Sequence, residues 1–160
     1  MRQPAVGLPV TALRSWLIRH VSLYVVLVTR PTGDSRAKPA AEHYAVRRTA
    51  GGCAIEEVLT GGNGQIQGIG LSGWDSDRKQ WRQLWTDKDR IVTVYMGGPA
   101  ADGTFVLTSE PKGAGTRWRY TYRNIRPDGV DAEYASRSGD DGPWTAVWSG
   151  HFDRIGPAEK

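Results

Sequence analysis

An all-β fold, an antiparallel up-and-down sheet or barrel, is what this sequence predicts, and three observations predict it. Seven Trp, six Tyr and twenty Gly in 160 residues favour strands and tight turns over a helical bundle, because aromatic rings suit a pleated surface and Gly supplies turn conformations. From Cys53 onward, short apolar runs recur about every 10–13 residues with Gly, Asp and Pro between them. That is the spacing of consecutive hairpin strands. In residues 116–123, Trp118, Tyr120 and Tyr122 fall on one face, with Arg117, Arg119, Thr121 and Arg123 on the other. A period of two arises only in an extended strand, and no segment carries helical periodicity over three turns.

Taken in order, the first third is the least regular part. Residues 1–12 have Pro and Gly punctuation and are expected to fray. Val21–Thr29 and His43–Thr49 each read as a strand, with a loop rich in Pro, Ala and charge over 31–41. Strands are then expected at 53–59, 64–71, 79–86, 90–96, 103–109, 115–124, 130–137 and 143–153. Asp102-Gly103 reads as a tight hairpin. Pro127-Asp128-Gly129 fixes φ at Pro and offers Gly129 for the left-handed position. Trp81, Gln83 and Trp85 share one face, as do Trp144, Ala146, Trp148 and Phe152, and such aromatic faces imply one enclosed core. The division predicted is an atypical basic segment with one or two strands over 1–49, a β-barrel core over 50–156, and a tail over 157–160.

The length suits one domain that buries roughly 70% of its unfolded surface. The net charge of +4 is unevenly spread. Residues 1–52 hold eight basic side chains against two acidic ones, whereas residues 53–160 hold thirteen basic and fifteen acidic. The patterned region is therefore not primed for a phosphate backbone, and no nucleic-acid partner is expected. Cys53 is the only cysteine, so neither an intrachain disulfide nor a Cys-based zinc site is available, and no metal or cofactor is expected. No apolar run approaches the ~20 residues of a spanning helix. Arg14 and Arg19 precede the apolar run Val21–Val28, as in an export signal. That run sits late, however, and Thr29-Arg30-Pro31 follows it instead of a small-residue cleavage site. A cytoplasmic protein is the expectation, with export as the alternative.

Several residues have chemistry to weigh. Glu57 shares a strand face with Cys53, Ile55 and Leu59, so it becomes an interior carboxylate if that face points inward. It must then be paired or shifted in pKa; a structural pairing with Arg is the plainer reading, a ligand role the sharper one. Cys53 lacks a base at motif spacing and reads as a buried, inert thiol. Trp81-Arg82-Gln83-Leu84-Trp85 places two indoles and an amide on one face, which suits either core packing or a ligand cavity. Ser138-Gly139-Asp140-Asp141-Gly142-Pro143-Trp144 is similar to an Asp-box loop with imperfect spacing, and one copy reads as a structural turn. Arg117, Arg119, Arg123 and Arg126 read as a solvated face paired with Asp128, Asp131 and Glu133 more readily than as a phosphate site.

In sequence order, Gly51-Gly52-Cys53 followed by Glu56-Glu57, Gly70-Leu71-Ser72 before Trp74-Asp75, Trp81 to Trp85, and a late Asp-Gly turn with Trp144 form a pattern. On these motifs, over about residues 50–154, the chain resembles a bacterial domain-of-unknown-function family with a lipocalin-like, or calycin-like, β-barrel. That family usually opens on a strand of the form Phe-Asp-Phe-Trp-x-Gly-x-Trp, for which Ser15-Trp16 is the nearest approach here. It ends on Tyr-x-Arg, where this chain has Phe152-Asp153-Arg154. The first departure leaves the closing strand unassigned and a barrel incompletely closed at its N-terminus in view.

The resemblance and the aromatic faces together imply a barrel that binds a small apolar or amphipathic molecule without catalysis. The candidate cavity lining is Glu57, Trp81, Gln83, Trp85, Trp118, Tyr120 and Tyr122. Two alternatives stay open. One is an enzyme in the same cavity, with Glu57 as general base and Arg119 or Tyr122 steadying developing charge; no residue is assigned as catalytic. The other is an interaction protein whose basic N-terminal third docks on an acidic partner or anionic surface. Neither the ligand nor the oligomeric state is written in the sequence.

Overall fold

The computed structural model describes residues 22–29, 40–89, 91–110 and 115–157. Ten strands follow one another: β1 (Ser22–Thr29), β2 (Ala40–Thr49), β3 (Ala54–Thr60), β4 (Ile66–Asp75), β5 (Gln80–Asp87), β6 (Val92–Pro99), β7 (Phe105–Ser109), β8 (Thr116–Arg123), β9 (Gly129–Ser138) and β10 (Thr145–Pro157). Each is antiparallel to the next, so β2 to β10 form one curled, up-and-down sheet of nine strands. β1 pairs along β2 on one side and β10 on the other and closes the ring. The single helical turn among the described residues is the 3-10 turn Ala50–Gly52. The all-β reading holds, and the strands expected from sequence appear within a few residues of their places. The expected fraying of 1–12, most of the 31–41 loop and Ser15-Trp16 lie outside the described residues.

Alternation along each strand decides what the barrel encloses. On β5, Trp81 and Gln83 are buried while Leu84 is exposed, which turns Arg82 and Leu84 outward as the period of two requires. Gln83 pairs with Tyr95 on β6 and Ser72 on β4, and all three are buried. On β8, Trp118, Tyr120 and Tyr122 lie opposite Ser136, Tyr134 and Ala132 of β9 and face the same interior. Trp81, Tyr95, Phe105 and Leu107 form one core cluster, and Ala132 with Phe152 a second. Outside, Ile69, Leu71, Leu84 and Val92 remain exposed on β4 to β6.

Two local expectations are corrected. Trp144 and Ala146 do not share the inward face of Trp148 and Phe152. The β9–β10 register shifts between Ala146 and Trp148, and one extra residue reverses the parity of everything before it. Trp144 therefore packs on the outer surface, over Arg119 and Arg137. In the β8–β9 turn the left-handed conformation falls on Asn124 (φ 51°), not Gly129. Gly129 is instead the first residue of β9, where a Cβ would come within 2.7 Å of the Phe152 carbonyl oxygen.

Gly97 shows how closely β6 and β7 approach. It sits at φ 153°, and a Cβ there would lie 2.1 Å from the Val106 carbonyl oxygen. Gly97→Ala should therefore cost about 2 kcal/mol by forcing the two backbones apart. Urea denaturation measures it, and an unchanged midpoint would contradict the close approach.

Candidate functional site

The interior is built by three facing groups of side chains. β5 supplies Gln83 and Trp85, β8 supplies Tyr120 and Tyr122, and β2, β3 and β10 supply Tyr44, Glu57, Trp148 and Phe152. Room for them comes from β4, which is stripped to glycine where they cross. A Cβ on Gly68 would lie 2.3 Å from the Trp85 ring, and one on Gly70 would lie 2.7 Å from a Glu57 carboxylate oxygen. The pairing Glu57–Gly70–Trp85 runs straight across three strands, so the Gly-x-Gly of β4 is the local reason both side chains fit.

Glu57 is the chemical centre of the group. Its Oε2 accepts a short hydrogen bond from Gln83 Nε2. The Tyr44 hydroxyl also donates to its carboxyl, and the Tyr122 hydroxyl is hydrogen-bonded to Tyr44. Removal from water pushes the carboxyl up to about 7, against the lowering effect of the Tyr44 and Gln83 bonds. Burial likewise raises the Tyr44, Tyr120 and Tyr122 hydroxyls, and proximity to Glu57 adds to the rise. Among the described residues no Arg pairs with Glu57; a salt bridge on this strand belongs to the neighbouring, outward Glu56, whose Oε1 lies 2.6 Å from Arg47 Nη2. The structural pairing with Arg expected from sequence is thus replaced by a network of neutral donors.

Beside this network lies a cavity of about 40 Å³, lined by Glu42, Tyr44, Leu59, Gln83, Trp85, Tyr120, Tyr122, Trp148 and Phe152. That volume suits one to a few ordered waters. Of the seven residues the sequence nominates, Gln83, Trp85, Tyr120 and Tyr122 line it, and Glu57 reaches it through Gln83 and Tyr44. Trp81 and Trp118 sit elsewhere in the core. Trp81 packs against Phe105 and Trp74, and Trp118 stacks on Tyr134 with ring centroids 5.1 Å apart. Tyr44 was missed as a site residue; its signal is the alternation Glu42, Tyr44, Val46, which marks an inward face.

Arg119 does not reach this interior. It points outward, 3.7 Å from Glu133 and against Trp144, because it alternates with Trp118 and Tyr120. Cys53 is exposed in the connection before β3, not buried. Among the described residues, no three His, Cys, Asp or Glu side chains are placed to hold a metal ion, and no helix is long and apolar enough to cross a membrane. No family model and no curated protein matches the chain.

Proposed function

We propose that this is a lipocalin-like barrel that binds a small apolar or amphipathic molecule in its interior, with Glu57 and Gln83 meeting the ligand's polar end. The observation that carries this reading is a carboxyl held among neutral donors at the edge of an aromatic-lined cavity. Such a group destabilises the fold near neutral pH, and perturbed carboxyls of this kind concentrate at functional sites. Trp85, Tyr120, Tyr122, Trp148 and Phe152 offer flat apolar surface, while Glu57 accepts hydrogen bonds, so a ligand with a donating head is favoured over an anion. A ligand larger than a few heavy atoms displaces water and requires Trp85 or Phe152 to move, because the remaining packing is dense.

Thermal denaturation with propylamine, propionate, phenol and indole tests this. Propylamine should raise the midpoint more than propionate, and Glu57→Gln should remove that preference. Leu59→Phe, which fills the cavity, should abolish the shifts. The absence of a shift with every probe, or shifts that persist in Leu59→Phe, would overturn the reading. One observation favours a second reading: a carboxyl with a pKa of about 7, hydrogen-bonded to Tyr44 and through it to Tyr122, suits a general base. Arg119 has no part in that version, and stoichiometric recovery of unchanged ligand after incubation excludes it.

A further inference from the structure

The outer face of β8 and β9 concentrates positive charge in a way that packing alone does not require. Arg117 and Arg137 are directly opposed across β8 and β9, and Arg119 lies one step along the same outer face. Like charges directly opposite each other destabilise a sheet. The Trp144 ring covers two of the three, with its centroid 4.4 Å from the Arg119 guanidinium carbon and 4.7 Å from that of Arg137. The Nε–H donors of Arg117, Arg119 and Arg137 are all buried without a hydrogen-bond partner among the described residues.

Three carboxylates lie near them, each exposed or shared, and Glu110 on the groove is held 3.3 Å from Arg82. Arg117 lies 3.3 Å from Asp140, a side chain left largely exposed. Arg119 lies 3.7 Å from Glu133, which is also 3.5 Å from Arg123. Arg137 has no carboxylate partner among the described residues. These pairs are long, one acceptor is exposed and the other is shared, so three partly desolvated guanidiniums remain short of counter-charge. Their accessible surface lines an open groove of about 540 Å³, with Thr108 and Glu110 along it. Of the other two arginines grouped with them by sequence, Arg126 pairs with Asp128 in the β8–β9 turn, and Arg123, which shares Glu133 with Arg119, lines a different groove beside His151.

We propose that this groove binds a phosphate group, with Arg117, Arg119 and Arg137 as its donors and Trp144 holding two of the guanidiniums in place. Guanidinium forks suit oxyanions because two parallel N–H bonds meet two oxygens, and the Thr108 hydroxyl is available as a further donor. The site is separate from the barrel interior and does not depend on what that interior holds.

Inorganic phosphate, titrated at constant ionic strength against sodium chloride, tests the proposal. At about ten times its dissociation constant, phosphate should raise the wild-type melting midpoint by roughly 4 °C over the chloride control. Arg137→Gln should abolish the rise, and Arg137→Lys, which keeps the charge but loses the fork, should retain only part of it. If Arg137→Gln does not fold, Arg117→Gln makes the same comparison while leaving both guanidiniums on Trp144. Sedimentation with phosphatidylcholine vesicles containing one-fifth phosphatidic acid distinguishes the sources. Co-sedimentation lost in the same variant assigns a lipid headgroup, and a phosphate effect without co-sedimentation assigns a soluble phosphate. No rise over chloride, or an undiminished rise in Arg137→Gln, overturns the site.

Discussion

Trp81→Ala should cost the fold about 3–5 kcal/mol, whereas Arg123→Ala should cost under about 1 kcal/mol. Trp81 is 6% exposed and packs edge-on against Phe105 and Trp74, at centroid distances of 6.3 and 6.0 Å. Truncating it removes a large apolar area and leaves a void that a closed sheet cannot collapse around. Its indole Nε1 is buried without a partner among the described residues, so the loss comes from packing, not from a broken hydrogen bond. Arg123 stands on the outer face, its side chain about half exposed and 3.5 Å from Glu133. Paired urea denaturation of the two variants compares the faces directly. Equal losses, or a larger loss for the Arg variant, would mean that the sheet is inside out.

Glu57→Gln should stabilise the protein by about 3 kcal/mol at about pH 8 and change it little at about pH 4. The sign follows from the proton count. Burial holds the folded carboxyl at about 7, whereas the ordinary glutamate value of 4.5 applies once the chain unfolds. Between those values the folded state holds a proton that the unfolded state has released. Stability is therefore lost as pH rises through the window, and the loss is complete above about pH 7. Tyr44, Tyr120 and Tyr122, all held neutral by burial, surround Glu57, Glu42 lines the adjoining cavity, and no cation among the described residues offsets the charge. Gln mimics the protonated acid, with one carbonyl oxygen that accepts and an N–H that donates in place of the acid O–H. Denaturation of both proteins across this pH range reads the gap between them. A gap that does not widen from pH 4 to pH 8 would show that Glu57 is charged at no cost and that the interior network is misassigned.

These two residues mark how far the sequence could be read. That Trp81, Gln83 and Trp85 share one face, and that Trp118, Tyr120 and Tyr122 share another, follows from a local period of two. Each strand carries that information within itself. The inward direction of both faces also follows, because aromatic rings gain most from leaving water. The candidate site was half legible for the same reason: Glu57 was marked by its parity with Ile55 and Leu59. Its partner Tyr44 was not, because the contact joins two strands whose register no local pattern specifies.

By itself, then, the sequence determined the strands, most of their order of facing and the all-β class, since alternation, turn residues and aromatic content act over a few residues. The tertiary structure alone decided the rest. It placed β1 against both β2 and β10, although that segment lacks the aromatic pattern of a closing strand. It set Gly68 and Gly70 against the Trp85 ring and the Glu57 carboxylate, and it brought Arg117 face to face with Arg137. It also turned Trp144 outward through a one-residue shift that a two-residue period cannot reveal. Ring closure, register and bulges depend on pairings between distant segments, and one inserted residue reverses a face without altering the local pattern on either side.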